Sequence, residues 1–214
     1  MGVYAMTGGA TGIGAELKTQ LLAAGHEVIS VDIKEGDSIA DLSTAEGRET
    51  AVRGIRERAP EGLDGYIPCA GLPPVAKPLS LIARVNYFAV VETVAGLRDL
   101  LASRRGSVLL VASNSAPMVP GNDAFVEACL AGDEAAACAH IDTRDGHTAY
   151  AGSKRALTVW MRRNIVAYAK AGVRMNAVAP GITQTPLSEQ VMADEELGQA
   201  MQEFGKMVPW GGTA

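Results

Sequence analysis

The run Tyr150-Ala151-Gly152-Ser153-Lys154 sets a phenol and an ammonium four residues apart. On a helix that spacing puts both on one face, where they can address one ligand. A free tyrosine ionises near ~10, and a fixed positive charge beside it favours the phenolate and lowers that value. Such a pair suits general acid–base chemistry, which works best when the group's pKa approaches the operating pH. Y-x-x-x-K alone more often marks an ordinary helix surface, so its meaning depends on the rest of the chain.

The second informative run is Thr7-Gly8-Gly9-Ala10-Thr11-Gly12-Ile13-Gly14, spaced T-G-x-x-x-G-x-G. Glycines let the backbone approach a pyrophosphate closely, and the N-terminus of the helix that follows favours its charge. A merely tight connection is the plain alternative. Placement between a short strand and a helix favours dinucleotide binding, with Gly8, Thr11, Gly12, Ile13 and Gly14 as contacts. Asp32 ends the next strand, 18 positions after Gly14. A carboxylate there accepts hydrogen bonds from adenosine ribose hydroxyls and repels a 2′-phosphate. No lysine or arginine lies between Thr7 and Gly14, and Lys34 is the basic residue just beyond Asp32 and Ile33. The expected cofactor is therefore NAD rather than NADP. Asp32 read otherwise is an exposed strand-end carboxylate. Asp41, beside Leu42, either contacts the adenine or helps cap a helix.

These residues need elements to hold them. Val3 to Met6 reads as a strand, and Gly12 to Ala24 as a helix ended by Gly25. Glu27 to Val31 is a second strand. Ser43-Thr44-Ala45-Glu46 has the form of a capping box opening a helix to about Arg58. Asp64 to Cys69 is a third strand, closed by Ala70-Gly71; Pro68, which cannot donate to a ladder, is expected near its end. A long helix is expected over Asn86 to Ser103, a strand over Ser107 to Ala112, a helix over Thr148 to Ala171, and a strand over Val173 to Ala179. Alternation at this spacing predicts an α/β fold, a doubly wound parallel sheet of Rossmann type in a single domain.

The chain has 214 residues, 48% hydrophobic and 20% charged, with a net charge of −5. That length suits one domain with a substantial core, and the acidic balance argues against a nucleic-acid partner. Cys69, Cys129 and Cys138 lack metal-ligand spacing and read as reduced thiols of a cytoplasmic protein. The three histidines are scattered, so no metal site is expected. Met1 passes directly into a strand, leaving no room for a signal peptide, and no apolar run reaches the ~18 residues of a membrane span.

In order along the chain stand Thr7-Gly8-x-x-x-Gly12-Ile13-Gly14, Asp32, Cys69-Ala70-Gly71, Asn86, Ser113, Tyr150-x-x-x-Lys154 and Pro180-Gly181. In these motifs the chain resembles the short-chain dehydrogenase/reductase family over nearly its whole length. Ile39 to Arg48, Val85 to Phe88 and Ala149 to Lys154 are similar to its bacterial 3α-hydroxysteroid dehydrogenase/carbonyl reductase branch, which also includes coniferyl-alcohol-type dehydrogenases. The resemblance implies that Tyr150 exchanges a proton with the substrate oxygen, and that Lys154 holds the nicotinamide ribose and lowers the Tyr150 pKa. It implies that Ser113 hydrogen-bonds the substrate oxygen, with Ser115 as a competing candidate, and that Asn86 holds a proton-relaying water. Cys69, Ala70 and Gly71, with Pro180, Gly181, Ile182, Thr183 and Thr185, would line the cofactor. Each also has a plainer reading: a strand-end cap for Ser113, a helix start for Asn86, turn residues for Thr183 and Thr185.

Three departures from the family pattern carry expectations. Pro68 and Cys69 stand where most members carry asparagine; Cys69 is expected as a packed thiol rather than a redox group. Ser113 and Tyr150 are 37 positions apart, against about a dozen in the family. A helical insertion at about 117–147 is therefore expected, covering the Tyr150-helix face and restricting assembly to a homodimer, with a tetramer as the alternative. The stretch Met207 to Ala214 falls short of a helix and strand the family adds, so a longer native protein is expected. Leu187, Val191, Met192, Leu197, Met201, Phe204 and Met207 then suggest a hydrophobic alcohol or ketone substrate, a steroid first and a phenylpropanoid alcohol second. A non-catalytic protein that senses NAD(P) is the rival from another class.

Overall fold

Six short strands lie parallel in the computed structural model, which describes residues 1–208. In chain order the elements begin β1 (Val3–Thr7), α1 (Gly12–Ala23), β2 (Glu27–Asp32), a two-residue β3 (Ser38–Ile39), α2 (Ala45–Arg58) and β4 (Gly65–Pro68). Next come α3 (Ser80–Ala83), a π-helical turn (Arg84–Phe88), α4 (Ala89–Gly96), α5 (Arg98–Ser103) and β5 (Ser107–Val111). A 3₁₀ turn at Ala116–Met118, α6 (Ala124–Ala131) and α7 (Glu134–Ile141) precede α8 (Gly146–Lys170), β6 (Arg174–Val178), α9 (Pro186–Met192) and α10 (Glu195–Met207). The strand order is β3-β2-β1-β4-β5-β6. The chain winds outward one way from β1 and the other way from β4, so a crevice opens beyond the C-terminal ends of these two strands, where doubly wound sheets bind ligands.

Alternation along each strand builds two apolar layers. Ala5, Ile29, Tyr66, Val108 and Leu110 face a large core shared with α2, α4, α5 and α8. Met6, Val28 and Ile67 face the other side, beneath Leu17 and Leu21 of α1.

Several expectations meet a different local structure. Thr44, not Ser43, caps α2, its hydroxyl accepting from Gly47 N at 3.0 Å. The Ser43 hydroxyl donates to Asp41 Oδ1 at 2.7 Å instead. The expected helix over 86–103 is broken: a π turn surrounds Asn86, and Leu97 leaves helical geometry between α4 and α5. The Tyr150 helix starts at Gly146, capped by Asp145, whose carboxylate accepts from Thr148 N at 2.8 Å. Pro68 is the last residue of β4, in register with Thr7, and the following Cys69 N donates to Thr7 O at 3.1 Å. Proline thus sits where the ladder can spare one donor. Of the C-terminal stretch expected to stop short, 209–214 lie outside the described residues.

The segment over 117–147 forms α6 and α7. Phe125 packs so closely on α8 that a Cβ at Gly152 would lie 2.8 Å from its ring. Glu134 of α7 lies 2.6 Å from the buried Arg48 of α2 and 3.2 Å from Arg84. Arg48 also sits 2.8 Å from Glu92 of α4, where burial raises the Glu92 pKa and Arg48 opposes the rise.

Candidate active site

The glycine run joins the end of β1 to α1, and its glycines are sterically required. Gly8 has φ +72°, and a Cβ there would lie 2.6 Å from Ala70 Cα. A Cβ on Gly14 would lie 2.0 Å from Gly8 O, so the first turn of α1 rests directly on the loop before it. The Thr7 hydroxyl accepts from Ala70 N at 3.2 Å, tying the ends of β1 and β4 together.

Asp32 closes β2 beside this loop. One carboxylate oxygen accepts from Ala10 N at 3.2 Å, and the other accepts from Ile33 N at 2.7 Å. Behind it, the Lys18 ammonium donates to Ser30 Oγ at 2.9 Å. The Ser30 backbone N–H and hydroxyl both donate to Asp37 at 2.8 Å. These bonds hold the bend after β2 that carries Ile33.

On α8, Lys154 is buried and its ammonium donates to Val111 O at 2.8 Å, at the end of β5. Burial pulls its pKa down to about 8, with Cys69 opposing the fall. Its nitrogen lies 5.8 Å from the centre of the Tyr150 ring. Burial pushes the Tyr150 phenol above its ordinary value, and the neighbouring Ser113 hydroxyl opposes the rise. The expected downward shift from Lys154 is not what this arrangement gives: burial raises the phenol, and the group that opposes the rise is Ser113. Ser113 is buried beyond the end of β5; its Oγ lies 2.9 Å from Ser115 Oγ and accepts from Ser115 N at 3.2 Å. Burial raises the Cys69 thiol, with Lys154 opposing, which fits a packed thiol.

Asn86 stands apart from the other expected residues. It is fully buried in the π turn; its Oδ1 accepts from Leu72 N at 2.8 Å and its Nδ2 donates to Leu72 O at 3.0 Å. Its side chain clamps the loop after β4 and does not line the cavity.

A continuous cavity of about 720 Å³ runs from the glycine loop to α9 and α10. Every other expected site residue lines it: Gly8, Thr11, Gly12, Ile13, Gly14, Asp32, Ile33, Asp41 and Leu42 at one end, then Cys69, Ala70 and Gly71. Ser113, Tyr150 and Lys154 stand at its middle, with Pro180, Gly181, Ile182, Thr183 and Thr185. Thr185 caps α9 in a reciprocal box with Ser188. Leu187, Val191, Leu197, Met201 and Phe204 wall the far end, whereas Met192 points away and is 44% exposed.

Sequence reasoning missed Leu72, Pro73, Pro74, Met118 and His147, which also line it. The signal for His147 was its place three residues before Tyr150, one turn along the same face. Leu72, Pro73 and Pro74 sit in a loop and Met118 in a three-residue 3₁₀ turn, neither with a periodicity to read. Among the described residues no group of three or more His, Cys, Asp and Glu could hold a metal, and no helix is long and apolar enough to cross a membrane.

The arrangement offers a close backbone approach at a helix N-terminus, a carboxylate at the strand end beside it, and two hydroxyls beside a buried ammonium. An apolar chamber adjoins them. A family model described as enoyl-(acyl carrier protein) reductase matches residues 8–213. The chain is 39% identical over 209 residues to the 3-alpha-hydroxysteroid dehydrogenase/carbonyl reductase of Comamonas testosteroni, covering 95% of this chain and 81% of that protein. It is 30% identical over 211 residues to the coniferyl-alcohol dehydrogenase of Pseudomonas sp. strain HR199, covering 91% and 79%. The crystal structure of the 3-alpha-hydroxysteroid dehydrogenase from Pseudomonas sp. B-0831, complexed with NADH, matches with a TM-score of 0.91. That match has 44% identity over 94% of this chain and 81% of the other.

Proposed function

Since the chain belongs to the short-chain dehydrogenase/reductase family of oxidoreductases, we propose that it interconverts a secondary alcohol and a ketone with NAD, on a hydrophobic ring-bearing substrate such as a 3α-hydroxysteroid. The observation that carries this reading is one cavity holding Asp32 and the glycine loop at one end and Ser113, Tyr150 and Lys154 at its middle. Lys154 is the one lysine or arginine among the described residues that line it. No cation lines the cavity at its Asp32 end to meet a 2′-phosphate, which favours NAD over NADP.

A bound nicotinamide cofactor would supply the hydride chemistry. The chain's own residues do the rest. Gly8 to Gly14 receive the pyrophosphate at the N-terminus of α1, and Asp32 accepts from the adenosine ribose. Ile33, Asp41 and Leu42 flank the adenine, while Pro180 to Thr185 border the nicotinamide. Lys154, fixed on Val111 O, presents its remaining N–H bonds to the nicotinamide ribose. Tyr150 gives its proton to the ketone oxygen or takes it from the alcohol, and Ser113 donates to the same oxygen. Both bonds strengthen as alkoxide charge develops, which is what accelerates the step. With its pKa raised by burial, Tyr150 carries at neutral pH the proton it gives to a ketone, and alcohol oxidation, which needs the phenolate, is favoured as pH rises.

We read the whole as a single domain in which α6 and α7 form a helical insertion. By packing Phe125 onto Gly152, the insertion covers part of the α8 face from within the chain and favours a homodimer through another surface. A tetramer built on a bundle that includes residues 150–170 would overturn that assembly.

The deciding experiment is a screen of NAD- and NADP-linked oxidation of steroid alcohols, coniferyl-type aromatic alcohols and small polyols. Steroid turnover with NAD preferred is the expected result. Faster turnover of aromatic alcohols would select the second substrate class, and turnover confined to small polar polyols would refute both.

A further inference from the structure

Ser115 stands two residues after Ser113 in the turn that leaves β5, and the two hydroxyl oxygens lie 2.9 Å apart. The Ser115 backbone N–H also donates to Ser113 Oγ at 3.2 Å. A serine hydroxyl has one proton to give and two lone pairs to fill. The backbone bond fills one lone pair of Ser113. If Ser115 Oγ donates, it fills the second, and the Ser113 proton is left to point elsewhere. Its alternative acceptor in the protein, Asn114 Oδ1, is 3.4 Å away, a weak bond that a substrate oxygen can displace. If instead Ser113 donated to Ser115, its proton would be lost to the reaction. No other hydrogen bond engages the Ser115 hydroxyl among the described residues, so nothing competes for the proton it would donate.

We propose that Ser115 is a positioning residue: its hydroxyl and backbone N–H saturate the lone pairs of Ser113 Oγ and so turn the Ser113 proton toward the substrate oxygen beside Tyr150. The two serines then work as a relay of orientation rather than as competitors for one role. The 3₁₀ turn at Ala116–Met118 fixes the geometry. Ala116 N donates to Ser113 O at 3.1 Å and Met118 N to Ser115 O at 2.9 Å, which fixes the backbone that carries both hydroxyls.

This inference rests on the ketone–alcohol reading above, and its test separates the two. Steady-state reduction of a steroid ketone with NADH is measured for the wild-type protein and for Ser115→Ala, Ser115→Thr, Ser113→Ala and the Ser113→Ala/Ser115→Ala double variant. Ser115→Ala keeps the backbone bond and loses the hydroxyl, so kcat is expected to fall about tenfold with KM and NADH affinity within about twofold. Ser115→Thr, which keeps a hydroxyl, restores most of the rate. The double variant is no slower than Ser113→Ala, because a residue acting through another adds nothing once its partner is gone. Additive losses would overturn the proposal by showing direct contact with substrate. So would an unchanged kcat in Ser115→Ala, or an equal loss in Ser115→Thr. A wild-type protein that binds NADH yet reduces no ketone, or a Ser113→Ala variant at full rate, would overturn the parent reading and this one with it.

Discussion

The Lys154 ammonium is buried against the last carbonyl of β5, donating to Val111 O at 2.8 Å. Its pKa is pulled down to about 8 by burial, whereas an unfolded chain's lysine titrates near ~10.4. The folded protein therefore releases this proton first. Between about 8 and ~10.4 the unfolded state holds more protons, so this group makes folding stability rise with pH across that window. The buried thiols act oppositely, since burial raises Cys69, Cys129 and Cys138. The readout is therefore a difference: urea denaturation across this range should show wild type gaining stability relative to Lys154→Met as pH rises. A constant difference would mean that Lys154 is not desolvated as described.

Replacing Tyr150 with phenylalanine removes one hydroxyl and leaves the ring in place. The expected outcome is a kcat about 10²- to 10⁴-fold lower, the range of a lost general acid. NADH affinity, read by fluorescence titration, should stay within about twofold. Unaltered turnover would mean that another group supplies the proton, whereas a wild-type protein that binds NADH without turnover would favour one that only senses the dinucleotide.

Gly14→Ala places a Cβ 2.0 Å from Gly8 O, a backbone atom that cannot yield without opening the loop. We expect a stability loss of about 1–3 kcal/mol by overpacking, together with at least tenfold weaker NADH binding. Gly71→Ala is the comparison, because its Cβ would meet only Asn86 Oδ1 at 3.5 Å. Thermal melting and titration of the two variants should separate clearly.

Asn86→Ala strands both backbone groups of Leu72, which costs about 1–3 kcal/mol. Since Leu72, Pro73 and Pro74 line the cavity, the ketone KM should rise more than the NADH KM. Asn86→Asp keeps the acceptor for Leu72 N but loses the donor for Leu72 O, so it should fall between. Equal effects on both substrates would argue that the clamp does not shape the chamber.

The sheet and the glycine loop at its crevice were legible because apolar runs such as Val3 to Met6 and Val28 to Val31 end at turn residues. The Tyr150–Lys154 juxtaposition was legible for the same kind of reason: helical period is a local property. The clamp of Asn86 on Leu72 was not, because its partner is a backbone 14 residues away, and the π turn carrying it leaves no trace in apolar spacing. Ser43 and Thr44 are both able to cap, and the choice depends on where Asp41 points. The sign of the Tyr150 shift depends on desolvation, which only packing reveals.

Asp32 accepts from Ala10 N while also holding Ile33 N. On the NAD reading proposed above, exchanging this acid for a neutral residue to admit the phosphorylated coenzyme would do more than lift a repulsion. It would orphan Ala10 N and leave the loop held to β2 by Gly8 N on Val31 O, so the incoming side chain should bring its own acceptor for Ala10.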